Sequence, residues 1–173
     1  MLDLAEARAI LAHSPAVVRN LVSPAGDAAR EFRDAPGGWN VRDVLCHLAD
    51  GETADWVPRI AIILSSEPDK RFTPFDREAG FVRYRGWTCA ALLDEFERLR
   101  AESLARLDAF HIARETLTRT GLHPEFGQVT LEQLIACWVT HDHAHVSQIA
   151  RLLVRHFGAQ VGPWRKYFSL LNG

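Results

Sequence analysis

Thr130-Leu131-Glu132-Gln133-Leu134, running on through Trp138-Val139-Thr140-His141-Asp142-His143-Ala144-His145-Val146-Ser147-Gln148-Ile149, is the stretch whose reading decides the fold of this chain. Thr130 is placed as a helix N-cap, and Gln133, three residues on, completes a capping box, with Val129 and Leu134 at the positions of a hydrophobic staple. The pattern predicts one long helix from about Leu131 to about Phe157, stopped at Gly158. Residues four apart on a helix point within about 40° of each other, while residues two apart diverge by about 160°. His141 and His145 therefore share a face and His143 does not, and two imidazoles stacked one turn apart can grip one metal ion.

The same start signal recurs upstream in Trp39-Asn40-Val41-Arg42-Asp43-Val44, where Asn40 caps, Asp43 sits at the third helical position, and Trp39 and Val44 form a staple. This helix extends to about Leu64, with a kink expected at Pro58, which lacks an N–H for the helical ladder. Leu4, Ala7, Leu11, Val18 and Leu21 predict a first helix, kinked at Ser14-Pro15, where serine caps and proline restarts it. Thr88 caps another, with Leu92, Phe96, Leu99, Leu107 and Phe110 on one side and Glu95, Glu97, Arg98, Arg100 and Glu102 on the other. Residues 65–87 make a long connection between the second and third helices, and long connections in compact domains are often functional. Residues 115–121 read equally as a short extended piece or a loop, and the aromatic tail after Val161 is expected to pack back on the body. The sum is an all-α, four-helix bundle, in which sites form from side chains facing inward on neighbouring helices.

At 173 residues the chain reads as a single domain, residues 1–173, with a core of its own. Its 47% hydrophobic and 24% charged residues are those of a soluble globular protein, and no apolar run approaches the roughly 20 residues of a membrane span. The start, Met1-Leu2-Asp3-Leu4-Ala5-Glu6, carries acids where a secretory leader is basic. Cys46, Cys89 and Cys137 are widely spaced and form no C-x-x-C, so they suggest neither a disulfide framework nor a zinc ribbon, and a cytoplasmic, reducing location is expected. A net charge of −2 with interleaved signs gives no basic stripe for phosphates. The expected partners are accordingly a small-molecule substrate, no nucleic acid and no membrane, and a homodimer through apolar helix faces.

A third ligand for the histidine pair must come from another helix. His47 is the candidate, two turns into the second helix among residues that should face the core. Asp50, three residues later, reads as a candidate catalytic base or an acid that orients a ligand, and equally as a surface or capping acid. Cys137, one turn before His141, either borders the metal or fills the core. Trp56 and Trp138 line a pocket or pack, and Gln148 is placed to hydrogen-bond near His145. Arg77, Arg83 and Arg85 in the long connection read as anion contacts or as a solvated cluster. His13, His111, His123 and His156 have no partner spacing and read as surface or loop residues.

Taken together, these motifs resemble the DinB-like superfamily. Gly38-Trp39-Asn40-Val41-Arg42-Asp43-Val44-Leu45-Cys46-His47-Leu48-Ala49-Asp50 is similar to its first signature, and His141 to Ile149, a histidine, three residues, a histidine and then Gln-Ile, to its second. His123-Pro124-Glu125-Phe126-Gly127-Gln128-Val129 resembles the loop that precedes the last helix in these proteins, and the likeness spans almost the whole chain. The resemblance implies an up-down-down-up four-helix bundle and a divalent metal at His47, His141 and His145. It also implies an activity of the kinds the family includes, thiol-dependent S-transferases using bacillithiol or mycothiol and an isomerase, so a low-molecular-weight thiol is an implied cofactor.

Three neutral histidines leave coordination positions open, the arrangement of a catalytic rather than a structural site. Imidazole ligands favour zinc or nickel, with manganese or iron admitted. The leading expectation is a divalent-metal-dependent thiol S-transferase or hydrolase, and the alternative a non-catalytic metal-binding stress or binding protein.

Overall fold

Each long helix begins where a side chain can take up its orphaned N–H groups. Asp3 accepts from Ala5 and Glu6, Asn40 and Asp43 form a reciprocal capping box, Thr88 accepts from Ala91, and Thr130 and Gln133 form a second box. The computed structural model describes residues 2–172. In chain order its elements are α1 (Leu4–Val22), α2 (Asp27–Arg30), α3 (Val41–Ala54), α4 (Trp56–Leu64), α5 (Ala79–Arg83), α6 (Cys89–Ala109), β1 (Thr120–His123), β2 (Gly127–Thr130) and α7 (Leu131–His156). Short 3₁₀-helices lie at Arg114–Thr118, Gly162–Tyr167 and Ser169–Leu171.

The bundle consists of α1, α3 continued by α4, α6 and α7. Arg8 pairs with Asp108 and Arg19 with Asp94 and Glu97, so α1 and α6 run antiparallel. Ala7 and Leu11 share a core with Leu131 and Leu134, and Val18 and Val22 with Ile149 and Leu152, so α1 and α7 run parallel. Val41 and Leu45 lie with Cys89 and Leu92 while Glu52 reaches Arg100, so α3 and α6 are parallel too. The order is up-down-down-up. Consecutive parallel helices need a return path along the bundle, which is why the connection after α4 is long.

Two apolar clusters fill the interior, one around Leu45, Leu92 and Phe96 and the other around Ile60, Ile135 and Trp138. Between them lies a polar layer. Arg100 is only 1% exposed, and its guanidinium donates to Glu52 at 2.7 Å, to both oxygens of Asp142 at 2.6 and 3.0 Å, and to the Leu11 carbonyl at 2.8 Å. Its position between Phe96 and Leu104 on the apolar stripe, not among the exposed charges, corrects the expected face of α6.

Three further expectations are revised. Pro15 does not restart a helix: α1 is continuous from Leu4 to Val22, and the Leu11 carbonyl that Pro15 cannot satisfy is taken by Arg100 instead. The break expected at Pro58 falls at Asp55 (φ −112°, ψ −73°), because the ring obstructs the carbonyl four residues earlier, at Ala54, where α3 ends. Residues 120–130 form an antiparallel hairpin, with Thr120 opposite Thr130 and Gly127 at φ +71° in its turn, and Arg71 of the connection bridges to Leu122 beside it. A Cβ on Gly121 would stand 2.4 Å from the Phe72 ring, so only glycine lets connection and hairpin lie this close. The tail packs back through Leu171, 4% exposed, while Trp164 and Tyr167 remain 65% and 70% exposed. No helix among the described residues is long and apolar enough to cross a membrane.

Candidate metal centre

α3 carries His47 and α7 carries His141 and His145 toward one point. The Nε2 atoms of His47 and His141 are 2.9 Å apart, and those of His141 and His145 3.1 Å apart. These three form the group among the described residues whose ligand atoms all lie within 4.8 Å of one another. Two imidazole nitrogens about 2.0–2.1 Å from one ion at angles between octahedral and tetrahedral would be about 2.8–3.4 Å apart, so spacings of 2.9 and 3.1 Å fit a metal. His143 points away, donating from Nδ1 to the Val139 carbonyl at 3.0 Å and lying exposed.

The protonation states fit as well. Burial, together with its histidine neighbours, pushes His47 down to about 3. Burial and His141 push His145 down to about 4. Both rings are thus neutral at pH 7, as metal ligation requires. The Gln148 carbonyl oxygen lies 2.8 Å from His145 Nδ1 and can only accept, so that nitrogen carries the proton and Nε2 offers its lone pair to the centre. Asp142 stands beside His141, its Oδ1 at 4.0 Å from Nδ1. Burial alone would raise its carboxyl, but His141, Arg100 and Ser14 bring it down to about 2. The polar layer thereby fixes the helix turn that bears two of the three imidazoles.

Rings clamp the centre from several sides. Trp39 packs on His47 at 4.9 Å and lies parallel to His145 at 6.2 Å, Phe75 meets His47 edge-on at 5.6 Å, and Trp56 meets His141 edge-on at 5.0 Å. The histidines open onto a cavity of about 1030 Å³ whose far wall is built by the long connection and the hairpin, including Phe72, Phe75, His123 and Phe126.

Other sequence candidates separate into those on this cavity and those off it. Cys137 and Gln148 line it, Cys137 as an exposed thiol whose pKa burial pushes up rather than as core filler. Trp56 lines it, and Trp138 is fully buried, donating to Glu52 at 3.2 Å. Of the three connection arginines Arg77 lines the cavity, whereas Arg83 binds Thr53 at 2.8 Å and Asp50 at 3.2 Å. Asp50, 1% exposed, sits under α5, where Gly80 leaves no room for a Cβ against the Cys46 carbonyl, and its carboxyl is pushed up by burial. His123 borders the cavity from the end of β1 and is not merely a surface or loop residue. Sequence reasoning passed over Asp55 and Arg59, a buried ion pair at 2.6 Å on the cavity wall, although an acid three residues before a helical proline was a visible signal.

The sequence matches the DinB superfamily over residues 10–149, a span that holds all three histidines. The chain belongs to the DinB superfamily. Over 153 residues it is 28% identical to "Putative metal-dependent hydrolase YfiT" of Bacillus subtilis, covering 83% of this chain and 80% of that protein. Over 142 residues it is 32% identical to a Bacillus licheniformis protein with the same functional description, covering 75% and 74%. The solved structure of Bacillus subtilis YfiT, reported with an unusual four-helix bundle topology, superposes with a TM-score of 0.74 at 23% identity over 91% of each chain. This superfamily member shares that bundle topology and carries a small hairpin whose turn borders the cavity of its histidine cluster.

Proposed function

We propose that this protein is a divalent-metal-dependent hydrolase of small molecules, with the metal held by Nε2 of His47, His141 and His145. The convergence of three imidazoles on an open cavity is the observation that carries the reading. Its support from relatives is that the Bacillus subtilis and Bacillus licheniformis proteins are named for metal-dependent hydrolysis. Zinc or nickel suits the all-imidazole donor set best. A divalent ion there supplies a Lewis acid and brings the pKa of water toward about 7.

The chain's own residues supply the rest. Gln148 holds the proton on His145 Nδ1, the Glu52–Arg100–Asp142 layer fixes α7 against α3, and Trp39, Trp56 and Phe75 keep bulk water from the sides of the imidazoles. The same open site would also hold a thiolate, so thiol transfer is the rival chemistry.

Metal content of the purified protein and of His47→Ala, His141→Ala and His145→Ala variants tests the site, with one ion per chain expected in the first and near none in the others. Full retention in His141→Ala would remove the basis for the proposal. Metal-dependent cleavage of amide or ester probes is expected. Metal-dependent coupling of a low-molecular-weight thiol to monochlorobimane, without hydrolysis, would move the assignment to an S-transferase.

A further inference from the structure

Two charged side chains line the same cavity as the three histidines, one near His141 and the other near His47. On the His141 side is Asp55, next in sequence to the Trp56 ring that packs against His141. Its Oδ1 is buried and ion-paired with Arg59 at 2.6 Å, and the residue lines the cavity. Asp55 is 7% exposed, and Arg59, also 7% exposed, lies over the Phe72 ring with its Nη2 at the Thr73 carbonyl, so the carboxylate is braced in place. On the His47 side is Arg77, two residues after the Phe75 ring that packs against His47. Arg77 is exposed, and its guanidinium has no ion-pair or hydrogen-bond partner among the described residues.

A ligand lying across the imidazoles therefore meets a hydrogen-bond acceptor with negative charge at one end and a free, forked cation at the other. Between them stand aromatic walls from Trp39, Trp56, Phe72 and Phe75. The complement of that surface is a molecule with an ammonium or N–H donor at one end, a carboxylate at the other and an apolar group between. We propose that the substrate is a short zwitterion of the amino-acid or dipeptide kind, its amino end on Asp55 and its carboxylate on Arg77. Arg59 is the positioning residue for Asp55. The proposal rests on this cavity being the substrate site, as in the hydrolase reading, and it specifies what that site recognises.

The test is the binding of glycyl-L-phenylalanine, its N-acetyl derivative and its C-terminal amide, by titration calorimetry on metal-stripped and zinc-loaded protein. The free dipeptide should bind about tenfold or more tighter than either blocked form, the scale of one lost charge-assisted hydrogen bond. Asp55→Asn should erase the penalty for acetylation and keep that for amidation, and Arg77→Gln should do the reverse. Arg77 is exposed, so its variant tests the carboxylate end even if Asp55→Asn disturbs folding. Equal binding of the three probes, no binding at all, or a uniform loss in both variants would overturn the proposal. Crossed discrimination in the metal-stripped protein would sustain it even if metal loading failed, and metal loading without discrimination would leave only the hydrolase reading standing.

Discussion

Two buried polar clusters sit side by side in this bundle and obey opposite rules. In the Glu52–Arg100–Asp142 layer a buried guanidinium meets two carboxylates and a main-chain carbonyl, and the Phe96 and Trp138 rings lie against it at 5.0 and 5.1 Å. In the histidine cluster three nitrogens face one another 2.9 and 3.1 Å apart with no cation from the protein between them, and a cavity opens in front. The first cluster is closed by its own partners and the second is completed from outside. A closed cluster holds helices together, whereas an open one of neutral donors does chemistry.

Breaking the closed cluster should give the largest effect. Arg100→Met leaves Glu52 and Asp142 buried without a counter-charge, and removing one partner of a buried pair costs about 3–5 kcal/mol. Urea unfolding should show a loss of that order, and metal affinity should fall with it, because Asp142 precedes the α7 turn that carries His145. A loss under about 1 kcal/mol would mean that the layer does not brace the bundle.

This closed layer was also the part least legible beforehand. The capping boxes at Asn40 and Thr130, and the histidine spacing on α7, are local signals; both helices start where those signals put them, and His141 and His145 share the face that meets His47. Arg100 looked like one charge among several on α6, since a single charged residue on an apolar stripe reads as noise until its partners are known. Two of those partners lie 42 and 48 positions away, and the third is a carbonyl freed by a proline, so only the assembled bundle reveals them. The hairpin escaped for the same reason: its strands, four residues each, are held by pairing with each other and with the connection rather than by any propensity of their own.

Acid should break the open cluster in its own way. With His47 lowered to about 3 and His145 to about 4, both are uncharged in native and unfolded chains above pH 6.5. As pH falls below that value the unfolded chain binds protons and the native one does not, so stability is lost progressively, down to about pH 4 through His145 and about pH 3 through His47. The carboxyls of Asp50 and Asp55, pushed up by burial, act in the opposite sense over part of this range. Melting curves of metal-stripped protein against pH should therefore be compared with those of His47→Gln, which should show a flatter acid limb. Identical limbs would contradict neutral burial of His47.

A smaller effect should come from the hydrogen bond between Gln148 and His145 Nδ1. Gln148→Leu removes the acceptor from Nδ1 and leaves all three ligands in place. Loss of such a partner costs about 10- to 100-fold in metal affinity, measured by competition with a chelator, while the metal-free melting temperature should hardly move. An unchanged affinity would show that packing by Trp39 alone orients the ring.

The smallest effect should come from His143, and it separates the two faces of α7. His143 lies within the same five-residue segment as both ligands, yet its ring turns outward and bonds only the Val139 carbonyl one turn back. That bond competes with the helix ladder rather than adding to it, and exposed sites away from such features change stability by no more than about 0.5 kcal/mol. His143→Ala should therefore bind metal as the unaltered chain does and unfold at nearly the same urea concentration. Were it instead to lose metal, the helix would have to rotate by roughly half a turn to bring residue 143 inward. Asp142, two-point bonded to Arg100, would then swing out of the closed layer, so the two clusters stand or fall on one helix orientation.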